Sequence, residues 1–217
     1  DDGVTQDIRL IELFNKYGLK ATFNINSELL GHPGELVRNG ARVSHIKNKP
    51  EDVRHIYAGH EIAAHTLTHP LLPSIGDDKE IIRQVEQDRL NLSELAGYEV
   101  VGFAYPCGGQ NFDRRVSELI RNNTGIKYAR KVELTERFDP PKDLFRLECT
   151  TRNFGDRFLS LAEGFVEMKP EIFSVWGHAY EFDWKRNWHV FEEFCKIISG
   201  HDDIFYGTNS EVFLGRK

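Results

Sequence analysis

The chain has 217 residues, of which 40% are hydrophobic and 29% are charged, and its formal net charge at pH 7 is −6. This size and balance predict a globular protein with a substantial core. An acidic chain without a basic cluster is not expected to bind nucleic acid, and no apolar run reaches the length that spans a membrane.

The start of the chain and its cysteines bear on where the protein works. No signal-peptide pattern precedes the first predicted helix, which leaves two expectations open: the cytoplasm, or export directed by a signal that this chain does not carry. The three cysteines, Cys107, Cys149 and Cys195, are widely spaced. They fit neither a disulfide framework nor a CxxC metal site, so reduced structural thiols are expected.

Helix and strand patterns alternate along almost the whole chain, which is typical of parallel β/α architecture. Gly18 and Gly97 are placed to end two of the helices in a left-handed conformation. Apolar residues at helical spacing predict helices over 7–17, 51–58, 78–96, 112–123, 156–168 and 188–199. Short β-rich runs predict strands over 21–26, 61–64, 100–104, 127–130, 144–149, 172–176 and 204–206.

These seven strands, with one more expected immediately before Asp1, predict an α/β fold that forms a distorted (β/α) barrel. A doubly wound sheet is less consistent, because no glycine fingerprint for a dinucleotide follows the first strand. No linker divides the chain, so residues 1–217 are expected to form a single domain. Unusual polar residues follow several predicted strands, on the face where such barrels carry their chemistry: His65, Arg130, His178 and the turn 105–108.

Two histidines four residues apart, His65 and His69, follow the buried strand 61–64. Imidazole is the commonest neutral ligand of transition metals, and catalytic zinc sites take three protein ligands. The Asp1-Asp2-Gly3 segment offers a carboxylate as the third ligand, although an acidic helix start is the ordinary interpretation of such a segment. One aspartate and two histidines suit a divalent metal that keeps open positions for water and substrate.

The chain resembles the polysaccharide deacetylase family, the NodB-like members of carbohydrate esterase family 4, over almost its whole length. Asp1-Asp2-Gly3 is similar to the end of the family's T-F-D-D-G motif, and residues 65–70 are similar to its H-[ST]-x-x-H motif. Residues 103–108 resemble the R-x-P-[YF]-G motif, and residues 175–178 resemble the late motif of apolar residues and a histidine. Four motifs in this order are far more specific than any one alone.

The resemblance implies a metal-dependent hydrolase that removes acetyl groups from a glycan, N-acetyl in preference to O-acetyl. It implies one divalent metal ion, with zinc favoured over cobalt, nickel or manganese, held by three residues: Asp2, His65 and His69. Asp1 would be the general base, His178 the general acid, and the main-chain N–H of Cys107 the oxyanion donor.

One departure from the family's pattern concerns the orientation of that base. Ala104 stands where the motif has an arginine, and Arg130 at the end of the next predicted strand is the candidate replacement. A structural ion pair is the alternative interpretation of Arg130. Three aromatic residues are candidate sugar contacts, although rim packing also suits the last two: Tyr105, Tyr180 and Trp184. The histidines without a partner at useful spacing are expected to have no role in the site: His45, His55, His60, His189 and His201.

Two other functions remain open on the sequence alone. Related barrels hydrolyse small amides and ureides such as allantoin, and the retention of all three ligand residues argues for the deacetylase over this reading. The loss of the arginine at Ala104 and the expected position of the first strand upstream also allow a glycan-binding module with an impaired site. Candidate glycans include chitin fragments, peptidoglycan, poly-N-acetylglucosamine and acetylated xylan, and the oligomeric state is left open.

Overall fold

The computed structural model describes residues 1–215. Within this range the helices are α1 (Asp7–Tyr17), α2 (Val53–Ile56), α3 (Asp78–Ala96), α4 (Arg114–Asn123), α5 (Phe158–Met168), α6 (Tyr180–Lys185), α7 (Trp188–Ile198) and α8 (Asn209–Leu214). The strands are β1 (Thr22–Ile25), β2 (Glu35–Arg38), β3 (Ala41–Ser44), β4 (Glu61–Ala64), β5 (Gly102–Ala104), β6 (Tyr128–Leu134), β7 (Leu147–Cys149), β8 (Thr151–Arg152) and β9 (Val175–Trp176).

Helices α1 and α3 have the bounds that the sequence predicts, because their end signals are strong. Gly18 (φ 66°) and Gly97 (φ 80°) follow their last turns in the left-handed conformation, which costs glycine little. At the start of α3, the side chain of Asp77 accepts a hydrogen bond from the main-chain N–H of Lys79.

Parallel strands dominate the architecture, and the predicted α/β class with a distorted barrel is confirmed. Five strands form one parallel sheet in the order β1-β4-β5-β6-β7, and β8 and β9 form a second, two-stranded parallel sheet. Buried aliphatic and aromatic residues fill the space between the larger sheet and helices α2 to α4. A second, phenylalanine-rich cluster lies among α1, α5 and α7.

Several parts of the secondary structure differ from the prediction. Residues 204–206 are not a strand, since the Tyr206 hydroxyl donates to the Ile198 carbonyl and accepts from the His201 N–H just after α7. The antiparallel hairpin β2–β3 was not predicted, because most of its side chains are exposed and show no apolar alternation. The short helices α6 and α8 and the two-residue strand β8 were also missed, and the predicted strand 144–149 begins only at Leu147.

An apolar groove lies between the edges of β1 and β9, where the two sheets approach each other. Its volume is about 420 Å³, and its wall includes Phe23, Phe165, Phe173 and Val175. At the end of this groove the main-chain nitrogens of Asp1 and Asp2 donate to Gly177 and Asn24, each at 2.9 Å. Consecutive N–H groups that point to opposite sides are the pattern of a strand between two neighbours.

Candidate active site

Asp2, His65 and His69 meet at the carboxyl ends of the parallel strands. Asp2 Oδ1 lies 3.7 Å from His65 Nε2 and 3.6 Å from His69 Nε2, and ligand atoms of the three residues lie within 4.8 Å of one another. Asp2 and His65 are buried, whereas the His69 side chain is 31% exposed. The structure therefore brings together the three residues that the sequence predicts as metal ligands.

The orientation of His65 is determined by the main chain around it. His65 Nδ1 lies 2.8 Å from the carbonyl oxygen of Ala104, which can only accept a hydrogen bond. The proton of a neutral ring is therefore on Nδ1, and the lone pair of Nε2 faces Asp2 and His69. The His65 N–H donates to the buried carboxylate of Asp88 at 2.9 Å, which fixes the end of β4.

The charge states of these groups match a metal-binding set. Burial lowers the pKa of His65 well below its usual value and also lowers the pKa of His69, so both rings are neutral at pH 7. Burial opposes ionisation of Asp2, but the bond from His45 and the nearby positive charges outweigh it, and its pKa is well below the usual range. Asp2 Oδ1 is buried and accepts no hydrogen bond from residues 1–215. An unpaired carboxylate oxygen beside two neutral imidazoles is suited to a divalent cation.

Backbone strain is concentrated in the same place. Eight non-glycine residues have a positive φ among the described residues, and four of them belong to this site. They are Asp2 (φ 81°), Thr66 (φ 69°), His69 (φ 62°) and Cys107 (φ 70°). Such conformations cost about 1–3 kcal/mol each and persist where the surrounding structure holds side chains in a required direction.

Asp1 is held by two donors from neighbouring strands. Asn24 Nδ2 donates to Oδ1 at 2.9 Å, and Arg130 Nη2 lies 2.5 Å from Oδ2 in a pair whose side chains are only 6% and 5% exposed. Arg130 also places its guanidinium over the ring of Trp176, 5.1 Å from the centroid. Arg130, the candidate replacement for the motif arginine, therefore contacts Asp1, the carboxylate that is expected to act as the base.

His178 follows β9 and is paired with Glu181. His178 Nδ1 lies 3.4 Å from Glu181 Oε2, which also accepts from the His178 N–H at 3.1 Å. Arg152 contacts the other oxygen of Glu181 at 3.0 Å. Burial would raise the pKa of Glu181, but His178 and Arg152 together keep it below its usual value, so an ionised carboxylate faces the imidazole.

The turn that carries Cys107 is fixed by a buried amide. Asn111 Nδ2 donates to the carbonyls of Tyr105 and Cys107 at 2.9 and 3.0 Å. Within the part of the chain that the structure describes, the Cys107 N–H donates to no acceptor. The Cys107 thiol lies 3.8 Å from His69 Nδ1, and all three cysteines of the chain are unpaired.

The three aromatic candidates lie in different environments. Tyr180 lines the site cavity, which has a volume of about 450 Å³. Tyr105 reaches its wall but is 1% exposed and donates its hydroxyl to the Phe145 carbonyl, so it supports the turn instead of offering a ring face to a sugar. Trp184 packs against a small cluster that includes Val43 and Tyr180 and does not line the cavity, whereas Trp176 does.

His45 is a residue of the site that sequence reasoning missed. It was expected to have no role, but its Nε2 lies 3.0 Å from Asp2 Oδ2. No spacing signal connects residue 45 to residue 2, since the contact depends on the hairpin β2–β3. Asn24 and Asn111 were missed for a similar reason, because a single buried amide has no motif.

The comparisons with known proteins place the chain in a family. The family model described as polysaccharide deacetylase matches residues 1–129, more than half of the sequence. The chain therefore belongs to the polysaccharide deacetylase family, as its motifs predict. A search of curated proteins finds no match.

Solved structures share the fold at low sequence identity. A variant of peptidoglycan deacetylase PdaC from Bacillus subtilis superposes with a TM-score of 0.56 and 13% identity, covering 95% of this chain and 82% of that one. BA3943, a CE4 family pseudoenzyme from Bacillus anthracis, gives 0.55 and 14%, covering 97% and 61%. BC0361, a polysaccharide deacetylase from Bacillus cereus, gives 0.52 and 16%, covering 68% of this chain and 44% of that one, so this chain spans under half of its length. No helix among residues 1–215 is long and apolar enough to cross a membrane.

Proposed function

We propose that this protein is a metal-dependent deacetylase that removes N-acetyl groups from a carbohydrate. One observation carries the proposal: the Asp2, His65 and His69 cluster shares a cavity with Asp1 and His178. Metal-assisted amide hydrolysis needs metal ligands, a general base and a general acid. The cluster of one carboxylate and two neutral imidazoles supplies the ligands. Asp1 is a candidate base, and His178 with its acidic partner Glu181 is a candidate acid. Family membership supports the assignment of a glycan as the substrate.

In this mechanism Asp2, His65 and His69 hold one divalent metal ion, with zinc as the preferred metal. When bound, that ion would supply a Lewis acid and make water acidic enough to lose a proton near neutral pH. Asp1 takes the proton of the attacking water, and Asn24 and Arg130 keep its carboxylate oriented. Cobalt, nickel and manganese are the alternative metals, because the same three ligands can also bind them.

The remaining steps use two other residues that line the cavity, Cys107 and His178. Water oxygen adds to the acetyl carbon, and the Cys107 N–H donates to the carbonyl oxygen as negative charge develops on it. His178 then gives a proton to the leaving nitrogen, the carbon–nitrogen bond breaks, and acetate and a free amine are released. An amine leaves poorly without a proton, so a histidine supported by the carboxylate of Glu181 favours N-acetyl over O-acetyl substrates.

We also propose that residues 1–217 act as one catalytic domain, in which the groove between β1 and β9 has room for one further strand. The alternating bonds of Asp1 and Asp2 to the two edges support this placement, as does the apolar lining of the groove. A strand that enters there would hold Asp1 and Asp2 at its carboxyl end.

Acetate release from N-acetylated chitin oligosaccharides tests the function. We expect release that a chelator abolishes and added Zn²⁺ restores. His69→Ala should lose metal and activity, whereas His55→Ala, which alters an exposed histidine on α2, should keep both. Activity that persists after complete metal removal would contradict the mechanism.

The same assay separates the two alternatives. A pseudoenzyme among the structural neighbours makes a glycan-binding protein without turnover a specific alternative. Oligosaccharide binding without acetate release would support that reading, and hydrolysis of allantoin in place of the oligosaccharide would support a small-amide hydrolase. Acetylated xylan, tested in parallel, distinguishes O-acetyl from N-acetyl specificity.

A further inference from the structure

His45 contacts the oxygen of Asp2 that faces away from the other two histidines. Its Nε2 lies 3.0 Å from Asp2 Oδ2, whereas His65 and His69 approach Oδ1. A carboxylate that serves as a metal ligand carries no proton, so Asp2 Oδ2 can only accept a hydrogen bond. His45 Nε2 therefore carries the proton of this hydrogen bond, and the ring is the donor to Oδ2.

The main chain around His45 is locked to the loop that carries Asp2. The His45 N–H donates to the Gly34 carbonyl at 2.9 Å, and a Cβ at position 34 would come within 2.6 Å of the His45 carbonyl oxygen. Further along, the Asn48 N–H donates to the Gly3 carbonyl, and Lys47 Nζ donates to the Asp2 carbonyl at 2.7 Å. The hairpin and the Asp2 loop consequently form one rigid unit.

The ring of His45 is also held from its side. Tyr180 packs against it at a centroid distance of 5.0 Å and an interplanar angle of 77°, and Tyr180 also contacts the ring of His178, at a centroid distance of 4.9 Å. The His45 side chain is 18% exposed, so little solvent competes for its bond to Asp2. A ring with a locked backbone and a packed face has few other positions to adopt.

We propose that His45 is a positioning residue for Asp2, donating to Oδ2 and leaving Oδ1 as the single oxygen that faces the metal position. This inference rests on the proposed function, because it concerns a ligand of the proposed metal. Partners of this kind fix the direction of a ligand and typically change metal affinity or activity by about 10–100-fold when removed. Oδ1 is the oxygen that lacks a hydrogen-bond donor among residues 1–215, which agrees with this division of the carboxylate.

Direct metal titration of three variants tests the proposal. His45→Phe keeps a ring against Tyr180 but removes the donor, and His45→Gln places an amide N–H at about the reach of Nε2. His45→Asn is too short to reach Asp2, and exposed His55→Phe is the matched control. Zn²⁺ affinity is measured by calorimetry on chelator-treated protein, and the visible spectrum of bound Co²⁺ reports ligand geometry.

We expect His45→Phe and His45→Asn to bind Zn²⁺ about 10–100-fold more weakly than the wild type and to change the Co²⁺ spectrum. His45→Gln should stay within about threefold, and His55→Phe should be unchanged. If His45→Phe fails to fold, the difference in Zn²⁺ affinity between His45→Gln and His45→Asn still tests the positioning role. Equal affinity and equal spectra for those two variants would overturn the positioning role.

The outcome for His45 is separable from the outcome for the proposed function. Zn²⁺ binding that depends on His45, in a protein that releases no acetate, would support the positioning role and contradict the deacetylase. If the protein binds Zn²⁺ and releases acetate, and neither property changes in the His45 variants, the deacetylase function would be supported and the positioning role contradicted. A wild-type protein that binds no divalent metal would overturn both.

Discussion

Replacing Arg130 by methionine tests how the site holds its proposed base. Arg130 Nη2 lies 2.5 Å from Asp1 Oδ2, and the two side chains are only 5% and 6% exposed. Methionine keeps much of the aliphatic volume of arginine but removes the guanidinium. The variant leaves a buried carboxylate with the Asn24 amide still donating to it at 2.9 Å.

The magnitude follows from the burial of the pair. Unit charges about 4 Å apart attract by about 4 kcal/mol at an effective dielectric constant of about 20, and removing one partner of a buried pair costs about 3–5 kcal/mol. Because the bond from Asn24 remains, we expect the free energy of unfolding to fall by about 3 kcal/mol. A base displaced by about 1 Å loses on the order of 100-fold in rate, so kcat/KM should fall about 100-fold.

Urea unfolding followed by circular dichroism measures the first quantity, and initial rates of acetate release measure the second. The double variant Asp1→Asn, Arg130→Met removes both charges and should recover much of the lost stability but none of the activity. Arg114→Met, which breaks an exposed pair with Glu118, should change stability by less than about 0.5 kcal/mol. If Arg130→Met lost stability but kept full kcat/KM, the pair would be structural and Arg130 would not orient the base.

Three further predictions concern other parts of the molecule. Burial lowers the pKa of His60 to about 4, below its unfolded value of about 6.5, so its neutral form contributes stability above pH 6.5 that is lost as pH falls towards 4. His60→Asn should therefore lessen acid destabilisation by about 2 kcal/mol after solvent screening, as urea unfolding from pH 7.5 to 4 would show. Asn111→Ala leaves one buried and one partly buried carbonyl without their donor and should cost about 2 kcal/mol in unfolding free energy; an unchanged urea midpoint would be inconsistent. Glu181→Gln should lower kcat on an N-acetylated oligosaccharide about 10-fold but spare p-nitrophenyl acetate, whose leaving group needs no proton; equal losses on both would exclude support of His178.

Patterns with strong local causes could be predicted from the sequence. Helix α3 has a capping aspartate, a regular apolar face and a terminal glycine, and its bounds are those predicted. Strand β4 was predicted correctly because all four of its residues are buried, which appears in the sequence as an apolar run before His65. The hairpin β2–β3 has no such signal, although Asn39-Gly40 is a turn dipeptide that favours it.

The parts of the site that were missed depend on long-range contacts. His45 approaches Asp2 only because the hairpin folds back over the first loop, and Asn24 reaches Asp1 from the next strand. Tyr105 is a different case, since its motif position predicts a sugar contact whereas its ring is buried in the core. Motif spacing identifies residues on one segment, whereas their partners are determined by tertiary packing.

The geometry of a parallel sheet explains how a motif arginine can be replaced from another strand. Ala104 on β5 and Arg130 on β6 are register partners, and neighbouring strands lie about 4.8 Å apart with paired side chains on the same face. A guanidinium moved by one strand can therefore reach the same carboxylate, provided that its neighbour is small. Ala104 is fully buried and meets that condition, while its carbonyl orients His65. The motif position thus lacks an arginine, and Arg130, the candidate that the sequence offers on the next strand, contacts Asp1 in the structure.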